Sequence, residues 1–249
     1  MLLAAGGFFF SRTRVFILSD ELEMLLYGKH RALWQTIRAS IRLCRPVQII
    51  YVPQMADQTH RLSFIEKKIL PTSFIIAPIR YESEVATLKK KNPKIVITIW
   101  GKDFSINYQI DAQRAANIAG PLAMKTGKTP AIFIPSTIDD ITFEGFVAHF
   151  NDSLKEIGFL QGVSLITKMT TNLKDYSSVI LFPEELSLQT NTIPLILFSG
   201  IQRGLLPPSV LAVFDDTLWP HIPEIVVYYN KNVKKNLISV LYMRKPTDN

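Results

Sequence analysis

The 249-residue chain holds a single cysteine, Cys44. One thiol excludes an intramolecular disulfide and a cysteine-built metal site. It follows Ile41-Arg42-Leu43 at the end of a helix-like run, far from any small-residue segment suited to lipid attachment, and reads as a buried core thiol. Long hydrophobic runs are missing too. Near-uninterrupted apolar stretches reach about ten residues, against the roughly 20 that a membrane-crossing helix needs. Glycine (11) and proline (15) are not in excess, and with 47% hydrophobic residues the chain is not mainly disordered. Charge of one sign is also scarce: 28 Lys plus Arg against 21 Asp plus Glu leave a formal net charge of +7. Its clusters are short, at Lys89, Lys90, Lys91 and Lys94 and at Lys231, Lys234 and Lys235. Such a balance favours anionic surfaces without specifying one.

Catalytic and nucleotide motifs fail in turn. Gly127-Lys128-Thr129 has Leu122 where a P-loop needs its first glycine, and it ends a helix instead of opening one, so it reads as a helix C-cap. No G-x-G-x-x-G follows a strand and no G-x-S-x-G is present. The four histidines, His30, His60, His149 and His221, are scattered without metal-ligand spacing. No cofactor and no metal are expected, and the chain is not expected to be an enzyme.

What is present is a regular alternation of short β-branched runs with longer helical periods. Strands are expected at 14–18, 47–52, 74–77, 95–100, 104–108, 131–135, 163–166, 179–182, 195–198, 210–214 and 225–229. Leu22, Leu25, Leu26, Leu33, Ile37 and Ile41 recur at helical steps, predicting one long amphipathic helix to about Cys44. Further helices are expected after Asp111, through Phe143–Ile157 to Gly158, and over Asn236–Leu241 at the end of the chain. Apolar strands separated by helices imply parallel sheets covered on both faces, and two linked sheets suit the two similar halves. In such sheets ligands bind outside the carboxyl ends of the strands. Ahead of all this, Met1–Phe10 reads MLLAAGGFFF before Ser11, Arg12 and Arg14, like the remnant of a signal or anchor segment whose start lies upstream.

Of the acidic pairs, Asp139-Asp140 precedes a helix and reads as a cap, whereas Glu184-Glu185 and Asp215-Asp216 follow predicted strands, where a cleft would lie.

The second half carries a family resemblance. Asn107-Tyr108-Gln109-Ile110-Asp111-Ala112, a helix, and then Gly127-Lys128-Thr129-Pro130-Ala131-Ile132-Phe133-Ile134 resemble the entry into the second lobe of type I periplasmic binding proteins. The effector-binding cores of LacI-type repressors share this pattern. Phe143-Glu144-Gly145-Phe146 with Glu156-Ile157-Gly158 is similar to the next element. Pro207-Pro208-Ser209 leading to Phe214-Asp215-Asp216-Thr217, followed by Ile222-Pro223-Glu224-Ile225-Val226, resembles the proline-led strand and return crossing. The resemblance covers about 110–225, and the first half only by element order. It departs where sugar-binding members carry an arginine, here Thr142, and an Asn-Asp, here Pro183 and Glu184. Only Asp215 is retained, which counts against a hexose.

The resemblance implies an α/β fold of two Rossmann-like lobes with parallel sheets flanked by helices, joined by a multi-crossing hinge. Residues 1–13 would form an apolar tail, 14–108 plus 225–249 the first lobe, and 109–224 the second. It implies non-catalytic binding of a small polar ligand in an inter-lobe cleft, for ABC-type uptake or sensing, with a membrane permease or a sensor as partner. The implied location is the periplasm or a membrane-anchored place in the cell envelope, with the cytoplasm left open. No helix-turn-helix precedes the core, so no nucleic acid is expected. The candidate ligand residues at strand ends are Asp20, Gln54, Arg80, Tyr81 and Trp100 in the first lobe. In the second they are Ser136, Thr137, Glu184, Ser199 and Asp215. Trp100 and Tyr81 suit stacking on a flat ligand, although core packing explains Trp100 equally well. The rival readings are a degenerate relative that serves as a structural or protein-interaction domain, and an α/β enzyme using Glu184 or Asp215 as base.

Overall fold

A computed structural model describes residues 13–53, 57–133, 140–166, 173–182, 193–199, 206–231 and 236–243. The chain divides into two compact units, 1–105 with 218–237 and 106–217 with 238–249, so it passes between them three times.

The first unit is built on a four-stranded parallel sheet in the order β2-β1-β3-β4. Its strands are β1 (Val15–Ser19), β2 (Val47–Tyr51), β3 (Phe74–Pro78) and β4 (Val96–Trp100). β1 and β3 are central and buried along their whole length, which is why they read as unbroken apolar runs and not as alternating ones. The helices are α1 (Glu21–Tyr27), α2 (Lys29–Leu43), α3 (Gln58–Glu66) and α4 (Glu82–Lys91). Val85 and Leu88 of α4 and Ile65 of α3 pack with Phe16, Leu18, Ile50 and Ile75.

Two sequence expectations change here. The single long helix is two, broken at Gly28, whose φ of 98° lies where only glycine is at ease. Cys44 is not buried: it is exposed and ends α2 in the left-handed conformation with φ 49°. Its amide closes the last turn on the Ile41 and Ser40 carbonyls, a role that glycine usually fills.

The second unit is built on a six-stranded sheet in the order β12-β10-β9-β8-β6-β7. Its strands are β6 (Ala131–Phe133), β7 (Ser164–Ile166), β8 (Val179–Leu181), β9 (Leu195–Phe198), β10 (Val210–Asp215) and β12 (Val240–Met243). All pair in parallel except β12, which lies antiparallel along β10. On one face α5 (Tyr108–Thr126) and α6 (Asp140–Glu156) supply Ala112, Ala115, Ala119, Phe146 and Phe150 against Ile132, Ile180, Ile196, Phe198 and Phe214. The other face buries Ala131, Phe133, Val179, Leu181, Leu195 and Leu197. Successive strand residues therefore point to opposite, equally apolar layers. The alanine face of α5 lets α6 approach closely: a Cβ placed on Gly120 would lie 2.0 Å from Ile157 Cδ1. Gly127 ends α5 with φ 67°, in the capping role expected for it. A separate short sheet pairs β5 (Ser105–Ile106) with β11 (Asn236–Leu237).

The segments around the last crossings depart from the sequence expectation. The predicted strand 225–229 lies inside a helix, α7 (Ile222–Asn230), with Pro223 in its first turn and Ile222, Ile225 and Val226 buried on one face. Proline there loses no hydrogen bond and presets φ, and the three- to four-residue spacing outweighs the local β-propensity. The predicted terminal helix over Asn236–Leu241 is instead β11 and β12. Six residues are too few for a helix in water, whereas β10 offers a free edge.

Candidate functional site

In the first unit the carboxyl ends of β1, β3 and β4 collect the predicted residues that the structure describes. Asp20 directly follows β1, and its Oδ1 accepts the Glu23 amide at 2.8 Å, capping α1. Arg80 lies in the single 3-10 turn Ile79–Tyr81 that follows β3. Its Nη2 donates to Asp20 Oδ2 at 2.9 Å and to Glu23 Oε2 at 2.6 Å. Ser19 Oγ donates to the same Glu23 oxygen at 2.9 Å. The guanidinium stands 5.2 Å from the Tyr81 ring centroid, a cation–π distance. Trp100, the last residue of β4, stacks on His221 with ring centroids 6.2 Å apart and planes 17° apart.

The charges support one another. Burial pushes the Glu23 carboxyl upward, against the opposing pull of Arg80 and Ser19. Burial disfavours the Arg80 cation, but Glu23, Tyr81 and Asp20 outweigh it and hold its pKa above the usual value. Burial raises the Tyr81 phenol, so it stays neutral and can donate. A carboxylate oxygen can accept more than one hydrogen bond. The cluster thus keeps acceptor capacity toward hydroxyls or amines while its own groups hold position. Among the described residues no group of three or more His, Cys, Asp or Glu stands ready to hold a metal.

In the second unit the carboxyl ends of β8, β9 and β10 carry an aromatic ladder. Phe182 stacks on Phe198 at 4.7 Å and Phe198 on Phe214 at 4.4 Å. Ser199 and Asp215 directly follow this ladder on neighbouring strands, and the Ser199 amide donates to the Phe214 carbonyl at 2.9 Å. Both are buried, Asp215 completely. Asp215 Oδ1 accepts the Thr217 amide at 3.2 Å and its hydroxyl at 2.5 Å, so this carboxylate also shapes the turn that leaves β10. Next to it, the Asp216 carboxyl is pushed up to about 7, chiefly by burial and then by the Asp215 charge. Tyr108 Oη donates to Asp216 Oδ2 at 3.4 Å. Gln54, Ser136, Thr137 and Glu184 lie outside the described residues.

Sequence reasoning missed Glu23, His221 and the Tyr108–Asp216 pair. Glu23 was legible in principle, because it falls three residues after the capping Asp20. Nothing local marks His221 as the partner of Trp100, 121 positions earlier. Only the sheet order brings them together.

No protein-family model matches the chain, and no curated protein matches it. Solved structures do. AraP, an arabinose-binding protein from Geobacillus stearothermophilus, superposes with a TM-score of 0.62 at 10% identity, over 94% of this chain and 97% of that one. A putative LacI transcriptional regulator from Bacteroides fragilis gives 0.59 at 11% identity, over 94% and 97%. An ABC transporter solute-binding protein from Burkholderia graminis, solved with D-arabinose, gives 0.53 at 11% identity, over 93% and 95%. Identities this low speak for architecture alone. Two α/β units on parallel-dominated sheets, three chain crossings and full-length superposition establish that this chain has the type I periplasmic-binding-protein-like fold.

Proposed function

We propose that the protein binds a small polar molecule without transforming it, through residues at the carboxyl ends of the strands in each unit, as the binding component of an uptake or sensing system. A membrane permease or a sensor would be its partner, and a place in the cell envelope fits that role. The observation that carries the reading is the convergence of Asp20, Glu23, Arg80, Tyr81 and Trp100 on three adjacent strand ends. Ser199 and Asp215 occupy the equivalent ends in the second unit. Strand ends are where open α/β sheets take ligands. Several solved structures of this fold are named for the sugars they bind, D-arabinose among them, which makes a polyhydroxylated ligand the first class to try. Thr142, Pro183 and Glu184 stand where the sugar-binding pattern differs, so the panel must also include nucleosides and amino acids.

The test is thermal unfolding of the whole chain against such a panel, followed by calorimetric titration of any hit. A ligand that binds only the folded chain raises its midpoint. Arg80→Ala and Asp215→Ala are each expected to weaken the hit about tenfold or more, the scale of one lost charge-assisted hydrogen bond. A midpoint unmoved by every compound would favour the second reading, a relative that serves as an interaction domain. The mutual pairing of Asp20, Glu23 and Arg80 is the observation on that side.

A further inference from the structure

Helix α2 is packed with its polar side inward. Its buried residues are Ala32, Gln35, Thr36 and Ala39, which are small or polar. Leu33, Trp34, Ile37 and Ile41 form a stripe on the opposite side and stand in solvent, Trp34 at 65% and Ile41 at 71% exposure. Across Gly28, α1 adds exposed Leu22, Leu25 and Leu26. The periodicity visible in the sequence therefore marks an outward face. A contiguous exposed apolar face of this kind marks a contact surface.

The charges around the stripe say what it contacts. Lys29, Arg31, Arg38 and Arg42 lie on α2, which has no acidic residue at all. With 100° per residue, Arg31, Arg38 and Arg42 fall along one margin of the stripe and Lys29 along the other. Arg42 also reaches Glu224 on α7 at 2.7 Å, leaving its side chain 57% exposed. A two-fold contact with a second copy would set these like charges against one another, which is costly. An outward stripe of Leu, Ile and Trp bordered by Arg and Lys instead matches a helix lying in a membrane interface, its rings and branched chains at the acyl boundary and its cations among the headgroups. The segment ahead of β1, MLLAAGGFFF, is apolar as well, and the Val15 amide binds the Pro46 carbonyl just beyond the C-terminal end of α2. The apolar sequence ahead of β1 offers a second signal of the kind that stable attachment takes.

We infer that the outward face of α2 docks the protein on an anionic lipid surface.

The experiment is flotation of the full chain with vesicles of phosphatidylcholine alone and of phosphatidylcholine mixed with phosphatidylglycerol. Binding is expected to the mixed vesicles, to weaken as salt is raised, and to fall about tenfold or more when Ile37→Glu and Ile41→Glu are combined. Both positions are exposed, so the double variant should keep the thermal midpoint of the parent. The blue shift of emission on adding mixed vesicles should vanish in Trp34→Phe, which leaves Trp100 and Trp219 in place. No binding to either vesicle overturns the inference. Undiminished binding of the double variant overturns it too and assigns the attachment to another segment. A concentration-dependent dimer that the double substitution abolishes would give the face to a second copy. A chain that binds no vesicle but takes an acidic amphipathic peptide would give it to a protein.

Discussion

Asp216 gives the second unit a pH dependence. Its carboxyl titrates near 7 in the folded chain against an ordinary 3.8, through burial and the neighbouring Asp215 charge. The fold binds this proton more tightly than the unfolded chain does. The stabilising contribution is therefore complete below the ordinary value and is lost as pH rises through about 7. Asp216→Asn should unfold at a higher temperature than the parent at pH 8 and differ little near pH 4, a comparison for calorimetry at the two pH values. At Cys44 the strain lies in the backbone. A non-glycine residue at φ 49° costs about 1 kcal/mol, and glycine would give up only the weak, exposed hydrogen bond from the thiol to the Ile41 carbonyl at 3.6 Å. Cys44→Gly is expected to stabilise the chain by roughly 0.5–1 kcal/mol in urea unfolding. The sequence suggested a core thiol because Cys is usually buried, and nothing in Leu43-Cys44-Arg45 announces a left-handed cap.

Among the elements, legibility followed burial. β1, β3, β8, β9 and β10 were evident as apolar runs because both of their faces are covered, so tertiary packing and local propensity agree. α5 and α6 were evident for a related reason: alanines on one and phenylalanines on the other repeat at helical spacing and meet each other. That meeting is tight at Gly120. Gly120→Leu should cost about 2 kcal/mol by overpacking against Ile157 and Leu154, measured as a lowered urea midpoint with an unchanged slope. α2 was legible as a helix and misleading as to which side it buries. Periodicity reports that a face exists, and what the face meets depends on the rest of the molecule. β12 and α7 were read as each other's type because both are short. For β12 an open sheet edge decided the outcome, and for α7 the proline in its first turn did.

At the scale of the whole chain, the three passages between the units make its final residues part of the second unit. Val240–Met243 closes the edge of β10, and Ser239 lies just after the last passage. Ser239 Oγ donates to Asp111, a completely buried carboxylate whose pKa burial raises, and Arg114 Nη1 binds the Ser239 carbonyl at 2.8 Å. Ser239→Ala leaves that carboxylate short of a donor and should cost about 2 kcal/mol. Truncation after Leu237 removes the edge strand as well, and is expected to yield a chain that unfolds earlier and aggregates through the bared β10 edge, checked by light scattering during a thermal ramp.

The amino-acid order by itself determined the α/β class, the parallel sheets, the resemblance of 110–225 to a two-lobed binding fold, and the strand ends where Asp20, Arg80, Tyr81 and Trp100 fall. These follow from local periodicity and from the direction of a strand, both written in neighbouring residues. Tertiary structure alone decided that Arg80 joins Asp20 and Glu23, that Trp100 lies on His221, and that Asp216 holds its proton near neutrality. It alone turned the apolar side of α2 outward. Pairing, desolvation and facing are set by partners tens to hundreds of positions away, and only the folded sheet order brings those partners within reach.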